Sequence, residues 1–428
     1  PPQMVSPPLR LGVLGCGCIG MEHLRNAMLL PSVTLAAVAD PHAPSRAAAA
    51  ALLADNQLER VPILDSAEQM LALGAVDALL LCTPNDSHAK LLVELLLPTR
   101  LHLLVEKPLA TTVEDVARVV ALASRIQRDG RPKLATAPAA TSAPLLWCGM
   151  EYRYIPAIAR LIAEARAGTI GELRMLSIRE HRFPFLKKVG NWNRRNERTG
   201  GTLVEKCVHF FDLMRHILCS EPCRIYASGG QEVNHLAPTD DGSPQPDILD
   251  SAYVIVDFDS GARSMLELCM FAEASKHQEE LSLVGTRGKL EAFAPSHGAK
   301  SDDRREVNFR RHIRSAEFTR TYEERSHPPS VAECGTMHEE HVSIDPDLMK
   351  AGDHAGSTFY ELERFAQAAL TPGAQPEVTL EDGAFAVMMG VGAQRSIEQG
   401  VPIYWKDLVH EYMNHLERFT NFAQRRHV

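Results

Sequence analysis

The sequence predicts an α/β protein in two parts: a doubly wound parallel sheet, followed by an α+β domain with a large, open and mainly antiparallel sheet. Two observations support this prediction. Short apolar strands alternate with helices at the start of the chain, which is typical of a parallel sheet with crossover helices. Later segments alternate polar and apolar residues, as expected of strands with one face in a core.

The length of 428 residues exceeds a single ordinary core. We expect a first domain at 1–150, with a flexible Ala-, Pro- and Thr-rich insert near 130–144, and a second domain at 151–428. Segment 297–354 is charged and is predicted to be a long excursion or linker. The net charge of −9 argues against nucleic-acid partners, and no apolar run is long enough to span a membrane.

The nine cysteines are scattered and odd in number, which is typical of reduced thiols rather than of a disulfide framework. Because the N-terminus also has no secretory pattern, we expect a cytoplasmic protein. No cysteine pair is accompanied by a second pair or by clustered histidines, so we expect no metal site. The string MHEEH at 337–341 has its histidines three apart, unlike zinc proteases, and is predicted to be a polar loop.

A glycine-rich turn carries the first functional signal. Residues 9–14 form an apolar strand, and a helical stretch follows the turn Gly15-x-Gly17-x-x-Gly20 directly. In a Rossmann domain such a turn binds the pyrophosphate of a dinucleotide at the helix N-terminus, so we expect Cys18 and Ile19 to lie at the cofactor as well.

Asp40 ends the second predicted strand, 20 residues after the last glycine of the turn. A carboxylate at this position accepts hydrogen bonds from the ribose hydroxyls and repels a 2′-phosphate. The sequence therefore predicts NAD as the cofactor in preference to NADP.

Two further strand ends carry polar residues. Thr83, Pro84 and Asn85 follow one strand and are predicted to contact the cofactor, while His88 either caps the following helix or faces the cofactor. Glu106 and Lys107 follow the next strand. Glu106 is predicted to lie at the cofactor site and to pair with or orient Lys107, the alternative being a solvated carboxylate.

A second polar cluster follows the Gly200-Gly201 turn. On one continuous helix Glu205, His209, Asp212 and His216 would share a face. Without the dinucleotide motif this would indicate an ordinary amphipathic helix with a solvated face. With that motif, we expect a catalytic face.

The order of these motifs, GxGxxG, TPNxxH, EKP and then the Gly-Gly turn with its carboxylate, His and Asp, resembles the Gfo/Idh/MocA family of oxidoreductases over about residues 9–408. The resemblance implies that Lys107 lies beside the nicotinamide and contacts the reacting oxygen. It also implies that His209 is the general base, a role that suits an imidazole because it titrates near neutral pH. A cation near the reacting oxygen would stabilise alkoxide character.

One position departs from the family pattern, because Glu205 stands where most dehydrogenases of the family carry Asp. We expect Glu205 to belong to the catalytic site, either orienting His209 or binding a substrate hydroxyl. Lys206 is either a substrate-binding cation or a solvated lysine.

Three further residues are predicted to bind substrate. Arg153 matches the family's arginine after the interdomain strand and either contacts substrate or holds the bridging helix. Trp192, together with Asn193, either forms a wall of the substrate pocket or packs in a core. Asp212 shares the predicted polar face of the helix. His354 is a further candidate.

The predicted function is therefore NAD-dependent hydride transfer at a secondary hydroxyl of a sugar, polyol or inositol-like substrate. Two alternatives remain open: an NAD-dependent glycoside hydrolase of the same family type, and a catalytically silent NAD-binding regulator. The resemblance also implies a homodimer or homotetramer.

Overall fold

The structure, a computed structural model, describes residues 7–129, 143–236, 245–295, 307–316, 326–352 and 354–425. The predicted flexible insert near 130–144 therefore lies outside the described residues, apart from its last two positions. Within the described ranges, no helix combines the length and the apolar character needed to cross a membrane.

The first part of the chain forms a parallel sheet. Its strands are β1 (Leu9–Leu14), β2 (Val33–Ala39), β3 (Ile63–Leu64), β4 (Ala78–Leu81), β5 (His102–Glu106) and β6 (Leu146–Gly149). They lie in the order β3-β2-β1-β4-β5-β6, and every pair is parallel. The order reverses between β1 and β4, and this switch point is where open α/β sheets bind their ligands.

The central strand β4 is apolar and buried throughout, as is typical of a parallel sheet packed between helices. The helices are α1 (Cys18–Met28), α2 (Ala43–Asp55), α3 (Ala67–Ala72), α4 (Asn85–Leu91) and α5 (Val113–Asp129). The Ser66 hydroxyl caps α3 by accepting a hydrogen bond from the backbone of Gln69. The doubly wound sheet is therefore as predicted.

The second part of the chain forms a nine-stranded sheet. Its strands are β7 (Leu173–His181), β8 (Pro222–Gly230), β9 (Ser251–Phe258), β10 (Arg263–Cys269), β11 (His277–Gly285), β12 (Gly288–Pro295), β13 (Phe309–Arg314), β14 (Gly335–Glu340) and β15 (Ile403–Tyr404). Their order is β14-β13-β12-β11-β7-β10-β9-β8-β15. The sheet is mainly antiparallel, as predicted, but β7 and β10 are parallel.

Four helices precede or follow the early strands of this sheet: α6 (Pro156–Arg166), α7 (Asn196–Thr199), α8 (Thr202–Glu205) and α9 (Val208–Leu218). The predicted continuous helix after the Gly-Gly turn is therefore wrong. Lys206 and Cys207 form a turn that separates α8 from α9.

The prediction of a linker over 297–354 is also wrong for the residues described there. They contain β13, β14, α10 (Val331–Cys334) and α11 (Pro346–Ala351). The MHEEH string lies largely in β14, where Arg310 of β13 pairs with Glu339 at 2.7 Å. An edge strand of this kind is held by backbone hydrogen bonds and exposed ion pairs. Its sequence therefore lacks the alternation of apolar and polar residues that would indicate a strand.

Three helices complete the chain: α12 (Ser357–Leu370), α13 (Leu380–Gln399) and α14 (Trp405–Arg425). Helix α13 packs against β6 and α5 of the first part and against α9 and β8 of the second. Helix α14 continues from β15 and packs against α5, where Arg418 lies 3.4 Å from Glu114.

Candidate active site

The glycine turn between β1 and α1 is shaped by close backbone contacts. Gly15 has a φ of +97°, and a Cβ added there would lie 2.5 Å from the carbonyl oxygen of Cys82. A Cβ added at Gly20 would lie 1.9 Å from the carbonyl oxygen of Gly15. The protein itself therefore requires glycine at both positions.

Gly17 differs from its two neighbours. No atom of the described residues lies within 4 Å of a Cβ built at this position. Gly17 directly precedes α1, and no side chain in the described ranges caps that helix end. The exposed Cys18 and the half-buried Ile19 begin the helix. The free N–H groups and the open space fit the pyrophosphate of NAD, as the motif predicts.

Asp40 lies beside this turn at the end of β2. Its two carboxylate oxygens accept hydrogen bonds from the backbone N–H groups of Cys16 and His42, both at 2.7 Å. Each oxygen retains a further lone pair for a ribose hydroxyl. Asp40 thus has the position and the remaining acceptor capacity that NAD binding requires.

Thr83, Pro84 and Asn85 lie where β4 ends and α4 begins. The Thr83 hydroxyl lies 2.7 Å from the hydroxyl of Ser87, and Pro84 occupies the N-cap of α4. The buried Asn85 side chain donates a hydrogen bond to the carboxylate of Glu205, far along the chain. This turn therefore joins the first sheet to the loop after the Gly-Gly turn.

His88 lies between two turns of the first sheet. Its fully buried ring places Nδ1 2.9 Å from the carbonyl oxygen of Pro108 and Nε2 2.9 Å from that of Thr83. The ring does not cap α4, and its contact with the cofactor stays a prediction. His88 connects the turns after β4 and β5.

Glu106 is buried and paired, so the prediction of a solvated carboxylate is excluded. Its Oε1 lies 2.6 Å from Nε2 of His23 on α1, and its Oε2 accepts from the backbone N–H of Lys107. Burial disfavours the charged form of both side chains, but the hydrogen bond and the charge attraction between them outweigh this effect. The pKa of Glu106 is therefore lowered and that of His23 is raised. Glu106 thus fixes the backbone that carries Lys107.

Lys107 extends from the end of β5 toward the second part of the chain. Its Nζ donates a 3.0 Å hydrogen bond to the backbone carbonyl oxygen of Glu205. The side chain is only half-buried. A cation from the cofactor-binding sheet is therefore held against the turn that precedes α9.

Glu205 ends α8, and its carboxylate is directed toward the first sheet. It accepts hydrogen bonds from Asn85 and, at 3.5 Å, from Nζ of Lys188. Burial would raise the pKa of Glu205, but the Lys188 and Lys107 cations hold it below its usual value. The predicted common face with His209 is wrong, because the turn at Lys206 separates the two helices.

His209 lies on the first turn of α9 and is only 2% exposed. Its ring stacks on Tyr152, with centroids 4.1 Å apart and an interplanar angle of 7°. Its Nε2 lies 3.7 Å from Oε1 of Glu151. Burial, together with the Lys107 and Lys206 cations, lowers the pKa of His209 well below its usual value, so the ring is neutral and able to accept a proton.

Lys206 is 5% exposed, which excludes the predicted alternative of a solvated lysine. Its Nζ lies 3.0 Å from Oε1 of Glu180 and donates a 2.5 Å hydrogen bond to the Tyr152 hydroxyl. That hydroxyl in turn donates to Glu279 at 2.9 Å. These four side chains form a buried polar wall beside His209, and burial lowers the pKa of Lys206.

Arg153 and Asp212 form a buried ion pair with each other. Two guanidinium nitrogens donate to the Asp212 carboxylate at 2.6 and 2.5 Å, and a third donates to the carbonyl oxygen of Glu377 at 3.0 Å. Their polar groups are therefore occupied by protein. This geometry favours the predicted alternative in which Arg153 holds the bridging segment, and it does not favour substrate contact by either residue.

Trp192 is largely buried in the loop before α7, and Nζ of Lys188 lies 4.5 Å from its ring centroid. The neighbouring Asn193 donates to the carbonyl oxygen of Leu186 at 2.9 Å. Because Lys188 also contacts Glu205, this loop borders the site. Both predicted roles of Trp192, pocket wall and packing, are compatible with this position.

Sequence reasoning missed several buried partners of the site: Glu22, His23, Glu151, Tyr152, Glu180 and Glu279. Glu151 and Tyr152 directly precede Arg153, so the EYRY string contained a usable signal. The others lie on α1, β7 and β11, and no local spacing connects them to His209. Among the described residues, no group of three or more His, Cys, Asp or Glu side chains is arranged to hold a metal ion.

Comparisons with known proteins agree with this architecture. Residues 9–128 match the family model described as an oxidoreductase family, NAD-binding Rossmann fold. Residues 164–404 match the model described as the C-terminal alpha/beta domain of that oxidoreductase family.

Two relatives match over nearly the whole chain. The uncharacterised oxidoreductase YrbE of Bacillus subtilis is 24% identical over 92% of this chain and 95% of its own. Myo-inositol 2-dehydrogenase of Thermotoga maritima is 22% identical over 91% of this chain and 97% of its own.

Solved structures share the fold. An oxidoreductase domain protein from Kribbella flavida superposes with a TM-score of 0.72 at 19% identity, covering 93% of this chain and 99% of that one. A levoglucosan dehydrogenase in complex with NADH gives a TM-score of 0.70 at 15% identity, with 93% and 99% coverage. Since the C-terminal family match alone spans more than half of the residues, the chain belongs to the Gfo/Idh/MocA family of NAD-binding oxidoreductases.

Proposed function

We propose that this chain transfers a hydride between a secondary hydroxyl carbon of a sugar, polyol or inositol-like substrate and NAD. The main support is the approach of Lys107, from the end of a strand in the NAD-binding sheet, to the carbonyl of Glu205, four residues before His209, whose pKa the Lys107 cation helps to lower. A neutral base and a cation at the edge of a dinucleotide site are the two groups that alcohol oxidation needs.

His209 accepts the proton of the substrate hydroxyl in this proposal. Its neutral state leaves a ring nitrogen free to accept, and the Tyr152 ring holds it in one orientation. Lys107 faces the same oxygen and stabilises the negative charge that develops there. Bound NAD⁺ supplies the hydride acceptor, held by Gly15, Gly17, Gly20 and Asp40.

The substrate class is inferred from the buried polar wall of Tyr152, Glu180, Lys206 and Glu279. Carboxylates accept hydrogen bonds from hydroxyls, and a lysine donates to them, so the wall suits a compact ligand with several hydroxyl groups. Relatives named inositol 2-dehydrogenase support the same class, including one from Rhizobium meliloti that is 26% identical over 66% of this chain.

A substrate screen tests the proposal. Purified protein is incubated with NAD⁺ or NADP⁺ and a panel of inositols, other polyols and sugars, and NADH fluorescence is recorded. We expect steady accumulation of NADH with at least one cyclic polyol or sugar and slower reaction with NADP⁺, because Asp40 faces the 2′ position. Release of aglycone from glycosides without net NADH would instead favour the hydrolase, and the absence of both reactions would favour a regulator.

We also propose that the chain works as a homodimer or homotetramer in the cytoplasm. On the outer face of the second sheet, the exposed Tyr226 and Ile255 are direct cross-strand neighbours, which gives an apolar surface for self-association. All nine cysteines are unpaired, as is typical of a reducing compartment. Light scattering of the purified protein measures the assembly, and a monomer at micromolar concentration would contradict it.

A further inference from the structure

A row of buried ionisable side chains continues from His209 toward the surface. Nε2 of His209 lies 3.7 Å from Oε1 of Glu151, and the same oxygen lies 3.7 Å from Nε2 of His354. Nδ1 of His354 lies 2.9 Å from Oε1 of Glu22 on α1. Thr358 also donates to Glu22 at 2.8 Å. The row joins α9 and the turn after β6 to α1 and to the residues around the start of α12.

The two ends of this row differ in exposure. The His209 side chain is 1% exposed and is covered on one face by Tyr152, whereas the His354 side chain is 24% exposed. Each oxidation cycle leaves a proton on the buried base. Because the substrate and cofactor exclude water from the base, that proton needs a route through protein groups.

Glu151 has the properties of an intermediate carrier. It is 2% exposed, and its Oε2 finds no hydrogen-bond partner within the described ranges. Its carboxylate therefore has the capacity to accept a proton without breaking an existing bond. Burial raises the pKa of Glu151 above its usual value, although the adjacent His354 cation acts in the opposite direction.

We propose that Glu151 and His354 form a proton-exit path from His209 to solvent, a role that rests on the proposed function of His209 as base. The hydroxyl proton passes to His209 while the hydride passes to NAD⁺. The proton then moves from the imidazolium to the Glu151 carboxylate. His354, which begins as imidazolium, loses one proton to water, and the neutral ring then takes the proton from Glu151. One proton enters the row and one leaves it in each cycle.

The charges around His354 support this order of transfers. Burial alone would lower the pKa of His354, but the Glu151 and Glu22 carboxylates raise it to about 9. Once Glu151 is protonated, its influence disappears, so His354 releases its proton more readily. Other titratable or charged groups that face the row include His23, Cys82, Glu106, Lys107, Tyr152, Arg182, Lys206 and Glu361.

The coupling between the two carriers is testable without any substrate. The ring signals of ¹⁵N-labelled histidines are titrated by NMR in the wild type, in Glu151→Gln and in the exposed control Glu59→Gln. We expect Glu151→Gln to lower the pKa of His354 by about one unit or more and the control to leave it unchanged. An unchanged pKa of His354 in Glu151→Gln overturns the path, whatever the substrate is.

The transfer itself is tested during turnover, with myo-inositol as the first probe. In weak buffer, His354→Gln should lower kcat for oxidation by about tenfold or more, and added imidazole should restore it, while NAD binding stays the same. The exposed control His410→Gln should behave as wild type. A loss that imidazole does not restore, or a rise in KM alone, would overturn the path in favour of a structural or substrate-binding role.

The outcomes for the path and for the proposed function remain distinguishable. If the wild type oxidises no polyol or sugar, the proposed function fails, and the NMR titration still decides whether Glu151 controls His354. If the wild type turns over and His354→Gln does so equally fast in weak buffer, only the path fails.

Discussion

The glycine turn and the buried polar wall beside His209 are built in different ways. Around the turn, polar contacts run largely to backbone groups and occur at ordinary hydrogen-bond distances, as at Asp40. Beside His209, charged side chains from distant segments are packed together, and Oε2 of Glu151 lacks a hydrogen-bond partner in the described ranges. The first region suits a ligand of fixed shape, whereas the second retains capacity to exchange protons and bind hydroxyls.

The largest expected effect is on kcat, and it distinguishes the residues that act on the reacting oxygen from those that bind the cofactor. Lys107→Ala and His209→Ala should each lower kcat by about 10² to 10⁴, because both groups act on the reacting oxygen. NAD affinity, measured by calorimetry, should stay nearly constant, since the glycine turn and Asp40 are untouched. Loss of NAD binding in either variant, with the fold intact, would show that these residues belong to the cofactor region.

The next largest expected effect is a pH dependence of the free energy of unfolding that arises from His354 in the polar region. The pKa of His354 is about 9 in the folded protein against 6.5 for a free imidazole. Its stabilising contribution is therefore complete below pH 6.5 and is lost as the pH rises through 9. The shift corresponds to about 3 kcal/mol in the free energy of unfolding.

Urea unfolding at pH 6.5 and pH 9.5 measures this contribution. The wild type should lose more stability between the two values than His354→Gln does. Equal losses in the two proteins would mean that Glu22 and Glu151 do not hold the proton of His354.

A smaller effect distinguishes two glycines in the cofactor region. Gly20→Ala should destabilise the fold by about 1 to 3 kcal/mol, because its methyl group would overlap the Gly15 carbonyl. Gly17→Ala has open space and should change stability by less than about 1 kcal/mol, yet weaken NAD binding. Thermal unfolding and calorimetry measure both quantities. Equal destabilisation by the two substitutions would contradict the assignment of the open space to NAD.

The sequence predicted the cofactor region more completely than the polar region. Strand β1, the glycine turn and Asp40 lie within about 30 residues of one another, and their spacing follows from one βαβ unit. His23 and Glu106 are 83 positions apart, and Lys107 and Glu205 are 98 apart. Such pairs depend on how the two sheets pack, which local periodicity does not encode.

The helix break after Glu205 has a similar explanation. A strict 3.6-residue period placed Glu205 and His209 on one face, but the Glu205 carboxylate bonds to Asn85 and Lys188, and the following residue, Lys206, pairs with Glu180. Strand β14 escaped prediction because none of its side chains is buried. Periodicity identifies elements that bury an apolar face, and it does not show where tertiary contacts interrupt a helix.

The smallest expected effect concerns Glu205, which contacts both regions. Glu205→Gln should weaken the link to Asn85 and Lys188 and raise the KM for the cofactor by about tenfold or less. The pH dependence of kcat/KM should keep its position, since Glu205 does not contact His209 in this geometry. Glu205→Asp, which keeps the charge, serves as the matched control. A shift of the pH profile in Glu205→Gln would restore the role of orienting the base.

The last helix has a consequence for how the molecule melts. Helix α14 leaves the edge of the second sheet at β15 and packs on α5 of the first, while α13 contacts elements of both. If the two sheets separated, buried apolar residues of these helices, such as Trp405 and Leu408, would become exposed to water. The two halves should therefore unfold cooperatively, and a calorimetric scan of the free protein should contain a single transition despite its two sheets.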